Sequence, residues 1–173
     1  PFILVSARSP SGVLPVQREL GISDPVVCYG GALVMNGAGA AVHSLVMAIR
    51  RVIAIKRRIR ASWPGITATV YSNDTWFVDD RTDSRVVAEA GITGVIPTEI
   101  TLDDLENAVS DAHKIFCVGS PEEVSAMEKA LAEQNPDLAV LQSNPRFLEI
   151  REGRATKANA LHYLCMAMNL SPS

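Results

Sequence analysis

The sequence predicts an α/β protein in which a parallel-sheet region is interrupted by an inserted α+β region. The first observation is the apolar run at residues 2–5, which is typical of a strand covered on both faces. The second is another apolar run at Val26–Cys28, with a helical pattern between the two. Strand, helix and strand within about thirty residues indicate a βαβ unit with parallel strands. The third is a change in charge: residues 26–73 contain six Lys or Arg and no acidic residue, whereas 74–111 contain ten acidic residues.

The helix of this first unit is predicted over residues 13–20. Gly21 follows it, and glycine commonly stands just after the last helical residue. Because Pro15 has no N–H to donate, we expect the helix to begin no earlier than about Gly12.

Residues 36–144 carry the elements of the predicted insertion. Helices are predicted over residues 44–61, 82–90, 102–109 and 121–134. Strands are predicted over residues 67–71, 75–78, 114–118 and 138–141, with a hairpin turn at 72–74. A strand over 147–150 and a helix over 156–169 then complete the first region. The predicted division is therefore 1–35, 36–144 and 145–173, with the outer two forming one sheet region.

Composition excludes several classes of protein. The chain is 47% hydrophobic and 20% charged, which is typical of a globular protein and not of a disordered one. Only 5% is aromatic and the net charge is −3, so we expect no nucleic-acid partner. No apolar run reaches the roughly 18 residues of a membrane span. Three widely spaced cysteines form neither a disulfide framework nor a zinc pattern, so we expect a reduced, cytoplasmic protein.

Ser6 and Arg8 are the first candidate site residues, because they directly follow the first predicted strand. Ligands of parallel sheets bind beyond the carboxyl ends of the strands. A hydroxyl with free backbone N–H groups in a Ser- and Gly-rich loop suits a phosphate oxygen. The alternative is that Ser6 and Ser9 only satisfy donors within the turn.

Lys157 is the second candidate, in the first turn of the last predicted helix and just after Thr156, a plausible N-cap. A cation at this end opposes the helix dipole, at a cost of a few tenths of a kcal/mol. Such a lysine is well placed if it faces an anion such as a phosphate. The alternative is a solvated lysine that tolerates the small penalty.

Other patterns do not support a site. The glycines at Gly30 and Gly31 lack the Gly-x-Gly-x-x-Gly spacing of a nucleotide loop. The three histidines are isolated and have no metal-ligand spacing. Arginines share one face of the predicted 44–61 helix, which we interpret as a solvated face with acidic partners in the same chain.

Three segments carry a resemblance to a known family. Residues 3–8 (Ile-Leu-Val-Ser-Ala-Arg) resemble a strand ending in Thr/Ser-Gly-Arg, and residues 26–33 resemble a segment ending in Asn-Gly-Ala. Residues 147–150 (Phe-Leu-Glu-Ile), followed by Thr156-Lys157 and Ala160-Leu161, resemble a Leu-Glu-Ile strand and a Ser-Lys-Gly-x-Ala-Leu helix start. In this order and spacing they resemble a Cof-type phosphatase of the haloacid dehalogenase (HAD) superfamily. The resemblance covers the whole chain and implies a HAD-like Rossmannoid core with an inserted α+β cap domain at 36–144.

The resemblance implies roles for particular residues. Ser6 would bind the transferred phosphoryl group, and Lys157 would neutralise the nucleophile and the phosphate. The implied phosphate- and substrate-binding set is Ser6, Ala7, Arg8, Gly30, Gly31 and Lys157. Ala7 stands where the family has Gly, and Gly30 where it has Asn. The implied activity is Mg²⁺-dependent hydrolysis of small phosphorylated metabolites such as sugar phosphates, through an aspartyl-phosphate intermediate.

Two motifs of the resembled family do not occur in residues 1–173: the Asp-x-Asp strand with the nucleophile and the Gly-Asp-x-x-x-Asp segment of the magnesium site. We therefore expect a fragment of a longer phosphatase that is inactive alone, has no metal ligands and binds no Mg²⁺ itself. The alternative is a non-catalytic binding or interaction module built on the cap. The expected partner is a small phosphorylated substrate.

Overall fold

The structure is a computed structural model, and it describes residues 2–169. The first region of the chain forms a four-stranded sheet. Its elements are β1 (Leu4–Val5), α1 (Pro10–Glu19), β2 (Val26–Cys28), a short 3₁₀ turn at Tyr29–Gly31, β3 (Leu33–Met35) and β4 (Ala41–Ser44). The strand order is β1-β2-β3-β4, with β1 and β2 parallel and the other pairs antiparallel. The predicted βαβ unit is therefore confirmed.

The middle of the chain forms a second, six-stranded sheet with helices. Its elements are β5 (Met47–Ala48), α2 (Ile49–Ser62), β6 (Thr67–Ser72), β7 (Thr75–Val78), α3 (Ser84–Thr93), β8 (Thr98–Glu99), α4 (Leu102–Ala108), β9 (Asp111–Ala112), β10 (Lys114–Val118), α5 (Pro121–Gln134), β11 (Leu138–Asn144) and β12 (Phe147–Glu152). The order in the sheet is β11-β12-β10-β6-β7-β8, and β5 pairs separately with β9. The last helix, α6 (Lys157–Ala167), returns to the first sheet, where its Ala160 and Leu164 pack with Val27 and Val34.

Strand β10 is buried on both faces and divides the core of the molecule. Because side chains alternate along a strand, Ile115 and Cys117 face the cluster beneath α2 and α5. Phe116 and Val118 face a second cluster, which includes Tyr29 of the first region. The second sheet therefore packs its helices on one face and the first region on the other.

Two helix starts differ from the prediction by three residues or more. Helix α1 begins at Pro10, earlier than Gly12, with Pro15 inside it. Pro15 and Ser11 are both exposed, so water can bond the Ser11 carbonyl that loses its helical donor. Helix α2 begins at Ile49 and not at residue 44, because Met47–Ala48 pairs with β9 as a strand.

The expected boundaries at residues 36 and 144–145 both fall inside hairpins. Residue 36 lies between the paired strands β3 and β4, and 144–145 lies at the turn between β11 and β12. Strand β12 pairs with β10 and β11, so it belongs to the second sheet and not to the first. The local sequence of a strand does not show which sheet the strand joins, which explains the difference.

The basic face of α2 has acidic partners in the same chain. Arg50 pairs with Glu106 and Arg57 with Asp103, as the interpretation of a solvated face expected. Arg51 pairs with Asp137. Within residues 2–169, no helix is both long enough and apolar enough to span a membrane.

Candidate functional site

The loop after β1 is fastened to the loop after β2 by backbone hydrogen bonds. The Ser6 N–H donates to the Val27 carbonyl at 2.9 Å, and the Gly30 N–H donates to the Ser6 carbonyl at 2.8 Å. The Tyr29 N–H donates to the Arg8 carbonyl at 3.0 Å. The backbone of residues 6–8, which we call the Ser6 loop, is thus held at the carboxyl end of the two parallel strands.

The Ser6 hydroxyl has a local role as well as a position at the sheet edge. Its Oγ accepts from the Arg8 N–H at 3.1 Å. Ser6 therefore does satisfy a backbone donor within the turn, as the alternative interpretation expected. The hydroxyl proton can still donate to an anion. Ser9 differs, because it stands at the N-cap of α1 without making a side-chain cap bond.

Gly30 and Gly31 are buried, and both adopt the left-handed backbone region that favours glycine, with φ of 64° and 117°. A Cβ on Gly31 would collide with the Thr156 backbone, and one on Gly30 would collide with the Arg151 guanidinium. These close approaches give both glycines a packing role that their spacing in the sequence did not indicate.

Lys157 is the first residue of α6, and the Thr156 hydroxyl accepts from the Asn159 N–H at 3.1 Å, which confirms the predicted N-cap. Because Gly31 packs on Thr156 while Gly30 is bonded to Ser6, the start of α6 lies at the same sheet edge as the Ser6 loop. Lys157 is exposed and makes no ion pair with any residue from 2 to 169. The structure therefore brings the Ser6 loop and the start of α6 to one edge of the first sheet.

Three charged residues near the Ser6 loop were missed by the sequence analysis. Lys114 of β10 donates to the Ala7 carbonyl at 3.1 Å and to Glu149 Oε1 at 3.2 Å. Arg151 bonds the other Glu149 oxygen at 3.2 Å. In the sequence, Glu149 and Arg151 alternate with Leu148 and Ile150, a pattern typical of a strand with one solvated face. The first region covers that face, which the local sequence does not indicate.

A cavity of about 220 Å³ lies between the Ser6 loop, α3 and the second sheet. Residues of both signs line it together with aromatic rings, among them Arg8, Lys114, Glu89, Glu149, Tyr71 and Phe116. Burial raises the pKa of Glu89, an effect that Lys114 and Arg8 partly offset. The cavity therefore offers cations, carboxylate acceptors and apolar faces beside the Ser6 loop.

A larger cavity, of about 260 Å³, lies beside α2. Four of its charged groups are already paired: Lys56 with Asp79 at 2.8 Å, and Asp83 with Arg85 at 2.8 Å. The cavity of about 220 Å³ is lined by Ala7 and Arg8 of the Ser6 loop, whereas the lining of the larger one contains no residue of that loop.

The described residues do not fit a magnesium ion. Within residues 2–169, no three or more His, Cys, Asp or Glu side chains are grouped so that they could hold a metal. A Mg²⁺ ion at this edge would need carboxylates other than those of these residues.

Comparisons with known proteins agree on one family. A family model described as haloacid dehalogenase-like hydrolase matches residues 1–173. A Haemophilus influenzae protein named "Putative phosphatase" is 31% identical over 164 residues, which are 95% of this chain and 61% of that protein. The chain thus spans less than two thirds of this relative.

Two solved structures share the fold. A haloacid dehalogenase-like hydrolase from Bacteroides thetaiotaomicron superposes with a TM-score of 0.84 at 20% identity, over 98% of this chain and 65% of that one. A HAD subclass IIB sugar phosphatase superposes with a TM-score of 0.75 at 14% identity, over 98% of this chain and 63% of that one.

Proposed function

The chain belongs to the haloacid dehalogenase-like hydrolases, as its motifs predicted, and on that premise we propose that it is part of a Mg²⁺-dependent phosphatase of small phosphorylated metabolites. The observation that carries the proposal is the contact of Gly31 with Thr156, since it brings Lys157 to the sheet edge that holds Ser6. A hydroxyl donor and a lysine without an ion-pair partner among residues 2–169 suit a phosphoryl group at this edge.

Each residue of this edge has a proposed role. The Ser6 hydroxyl donates to a phosphoryl oxygen while its Oγ keeps the turn bond to Arg8. Lys157 and the N-terminal end of α6 supply positive charge to the same group. Arg8 neutralises charge at the cavity mouth, and the backbone of Ala7, Gly30 and Gly31 shapes the cradle.

We propose sugar phosphates as the substrate class, with residues 46–152 acting as the cap. The cavity supports this proposal, because the carboxylate of Glu89 can accept from hydroxyl groups. A solved structure with the same fold is named a sugar phosphatase.

The chemical step requires groups that residues 1–173 do not supply. They contain no Asp-x-Asp sequence, and the described residues form no metal-binding cluster. In the proposed reaction a carboxylate from outside these residues would attack phosphorus, the ester P–O bond would break and the alcohol would leave. Water would then hydrolyse the aspartyl phosphate to carboxylate and inorganic phosphate, and Mg²⁺ would screen the phosphate charge. The chain by itself is therefore expected to bind phosphate without turning over a phosphate ester.

The coding sequence on either side of residues 1–173 tests the proposed function. An Asp-x-Asp before them and a Gly-Asp after them would support the enzyme, and a longer product carrying both should hydrolyse members of a sugar-phosphate panel. That activity should require Mg²⁺ and fall about 100-fold or more in Lys157→Ala. Flanking sequence without either motif would instead favour a binding module built on the second sheet.

A further inference from the structure

Lys114 is buried at the contact between the two sheets. Its side chain is only 8% exposed, although lysine is among the residues least often buried. It stands at the first position of β10, and its Nζ lies 5.0 Å from the Tyr71 ring centroid and 5.3 Å from that of Phe116. A buried ammonium needs partners for its protons, and these aromatic faces satisfy only part of that need.

The remaining partners of Lys114 are the Glu149 carboxylate and the Ala7 carbonyl, at 3.2 and 3.1 Å. Ala7 is 107 positions away in the sequence, inside the Ser6 loop. The contact therefore joins the central strand of the second sheet directly to that loop.

Glu149 extends this contact to the second loop of the site. Its other oxygen accepts from Arg151, whose guanidinium lies against Gly30. The three charged side chains thus form a continuous chain that touches the Ser6 loop at one end and the Tyr29–Gly31 turn at the other. Both loops are fixed from the same face of the second sheet.

We propose that Lys114 is a positioning residue, which holds the Ser6 loop from the second sheet so that the Ser6 hydroxyl faces the phosphate. The contact between Lys114 and the Ser6 loop is part of the observed fold, whereas its effect on phosphate binding rests on the proposed function. By binding a backbone carbonyl, Lys114 leaves the Ser6 hydroxyl and Arg8 guanidinium free for the ligand.

Lys114→Met tests the loop contact, because it keeps the length of the side chain and removes its donor. Glu149 stays paired with Arg151 in this variant, so no buried carboxylate is left unpartnered. Lys129→Met is the matched control, since Lys129 is exposed on α5 and carries the same charge.

The readout is amide hydrogen exchange measured by NMR. The Tyr29 and Gly30 N–H groups donate to the Arg8 and Ser6 carbonyls, so their exchange reports the attachment of the loop. We expect exchange at both to speed up about tenfold in Lys114→Met and to change less than about twofold in Lys129→Met. Lys114→Arg should restore at least half of the lost protection. Equal exchange in the two methionine variants would overturn the proposal.

Inorganic phosphate is the probe for the functional consequence. Where the wild-type chain shows saturable amide shifts at Ser6 and Lys157, the dissociation constant should rise at least about fivefold in Lys114→Met and stay unchanged in Lys129→Met. An unchanged constant in Lys114→Met would overturn the positioning role. A wild-type chain without phosphate shifts would contradict the proposed function, and the exchange result would then decide the role of Lys114 alone.

If Lys114→Met does not fold, a measurement on the wild-type protein tests the proposal instead. A hydrogen-bonded ammonium should give a resolved ¹⁵Nζ signal with nuclear Overhauser contacts to Ala7 or Arg8. A Lys114 signal averaged by solvent exchange like that of Lys129 would overturn the proposal.

Discussion

His113 joins four segments of the chain through a fully buried ring. Its Nδ1 accepts from the Asn73 N–H at 3.1 Å, so the neutral ring carries its proton on Nε2, which lies 3.1 Å from the Ser44 hydroxyl. The ring also stacks on Tyr29, with centroids 5.3 Å apart. Burial lowers the pKa of His113 below its ordinary value of 6.5, and the nearby Asp111 opposes this effect.

A lowered histidine pKa makes stability depend on pH. Below about pH 6.5 this position is protonated to a greater extent in the unfolded chain than in the folded chain, so acid favours unfolding. The free energy of unfolding should therefore fall with decreasing pH by at most about 1.4 kcal/mol per pH unit from this group. The free energy of unfolding, measured in urea at several pH values between 5 and 8, should depend less on pH in His113→Gln than in His162→Gln. His162 is exposed and serves as the control. Equal slopes in the two variants would contradict this account.

The three cysteines differ in their surroundings. Burial raises the pKa of the Cys28 and Cys117 thiols to about 12, whereas Cys165 is half-buried on α6. Because the thiolate is the reactive form, Cys28 and Cys117 should not react in the folded protein. Ellman's reagent at pH 8 should label one thiol per native chain and three in urea. Labelling should vanish in native Cys165→Ser, and a fast-reacting thiol in that variant would show this account of burial to be wrong.

Individual site residues were predictable from sequence only where a local signal existed. Ser6 follows a strand end and Lys157 opens a helix, so both could be proposed from their neighbours. Lys114 and Glu149 could not, because their burial depends on the pairing of β10 with β12 and on the first region that covers both. Their roles, like those of Ser6 and Lys157, remain proposals.

Among the elements, those with strong local signals were predicted well. The hairpin of β6 and β7 is confirmed, and Asn73 at its turn adopts a positive φ of 49° that asparagine tolerates. The predicted start of α2 at residue 44 was wrong, because the apolar segment before Ile49 pairs with β9 as strand β5. Pairing with a distant partner decides such segments, and a single sequence does not reveal the partner.

The place of β12 in the second sheet gives a prediction for its core residue. Leu148 is fully buried in the cluster beneath α2 and α5, whereas Leu141 of the neighbouring β11 is 48% exposed. Leu148→Ala should lower the free energy of unfolding by about 2–5 kcal/mol through lost burial and a cavity. Leu141→Ala serves as the matched control and should cost less than about 1 kcal/mol. Equal losses in urea unfolding would contradict the assignment of β12.

At the scale of the whole molecule, aromatic packing and polar contacts join the two sheets. Tyr29 of the first region contacts Tyr71 of β6, with ring centroids 5.8 Å apart, and donates its hydroxyl to the Asn73 carbonyl at 2.6 Å. The N–H and the hydroxyl of Ser11, on α1, both donate hydrogen bonds to the Asp74 carboxylate. The hairpin turn at 72–74 is thereby fixed against the first region.

Protection against amide exchange should differ between the sheets. Strand β1 is a two-residue edge strand, whereas β10 is paired on both sides and buried on both faces. Exchange measured by mass spectrometry should therefore be slower at 114–118 and 147–152 than at residues 4–5. The measurement should be made at low protein concentration, so that a second copy of the chain does not pair with the β1 edge. Equal protection in a monomer would show that the first sheet is as stable as the second.

The central claim is that the edge formed by Ser6 and Lys157 binds a phosphoryl group, and a phosphate titration tests it most directly. Inorganic phosphate added to the ¹⁵N-labelled chain should shift the amides of Ser6, Arg8 and Lys157 in a saturable manner. Lys157→Ala should weaken this binding about tenfold, because one charge-assisted contact is lost, and Lys129→Ala should leave it unchanged. Shifts centred on the cavity beside α2, or no saturable shift at the Ser6 edge, would contradict the account.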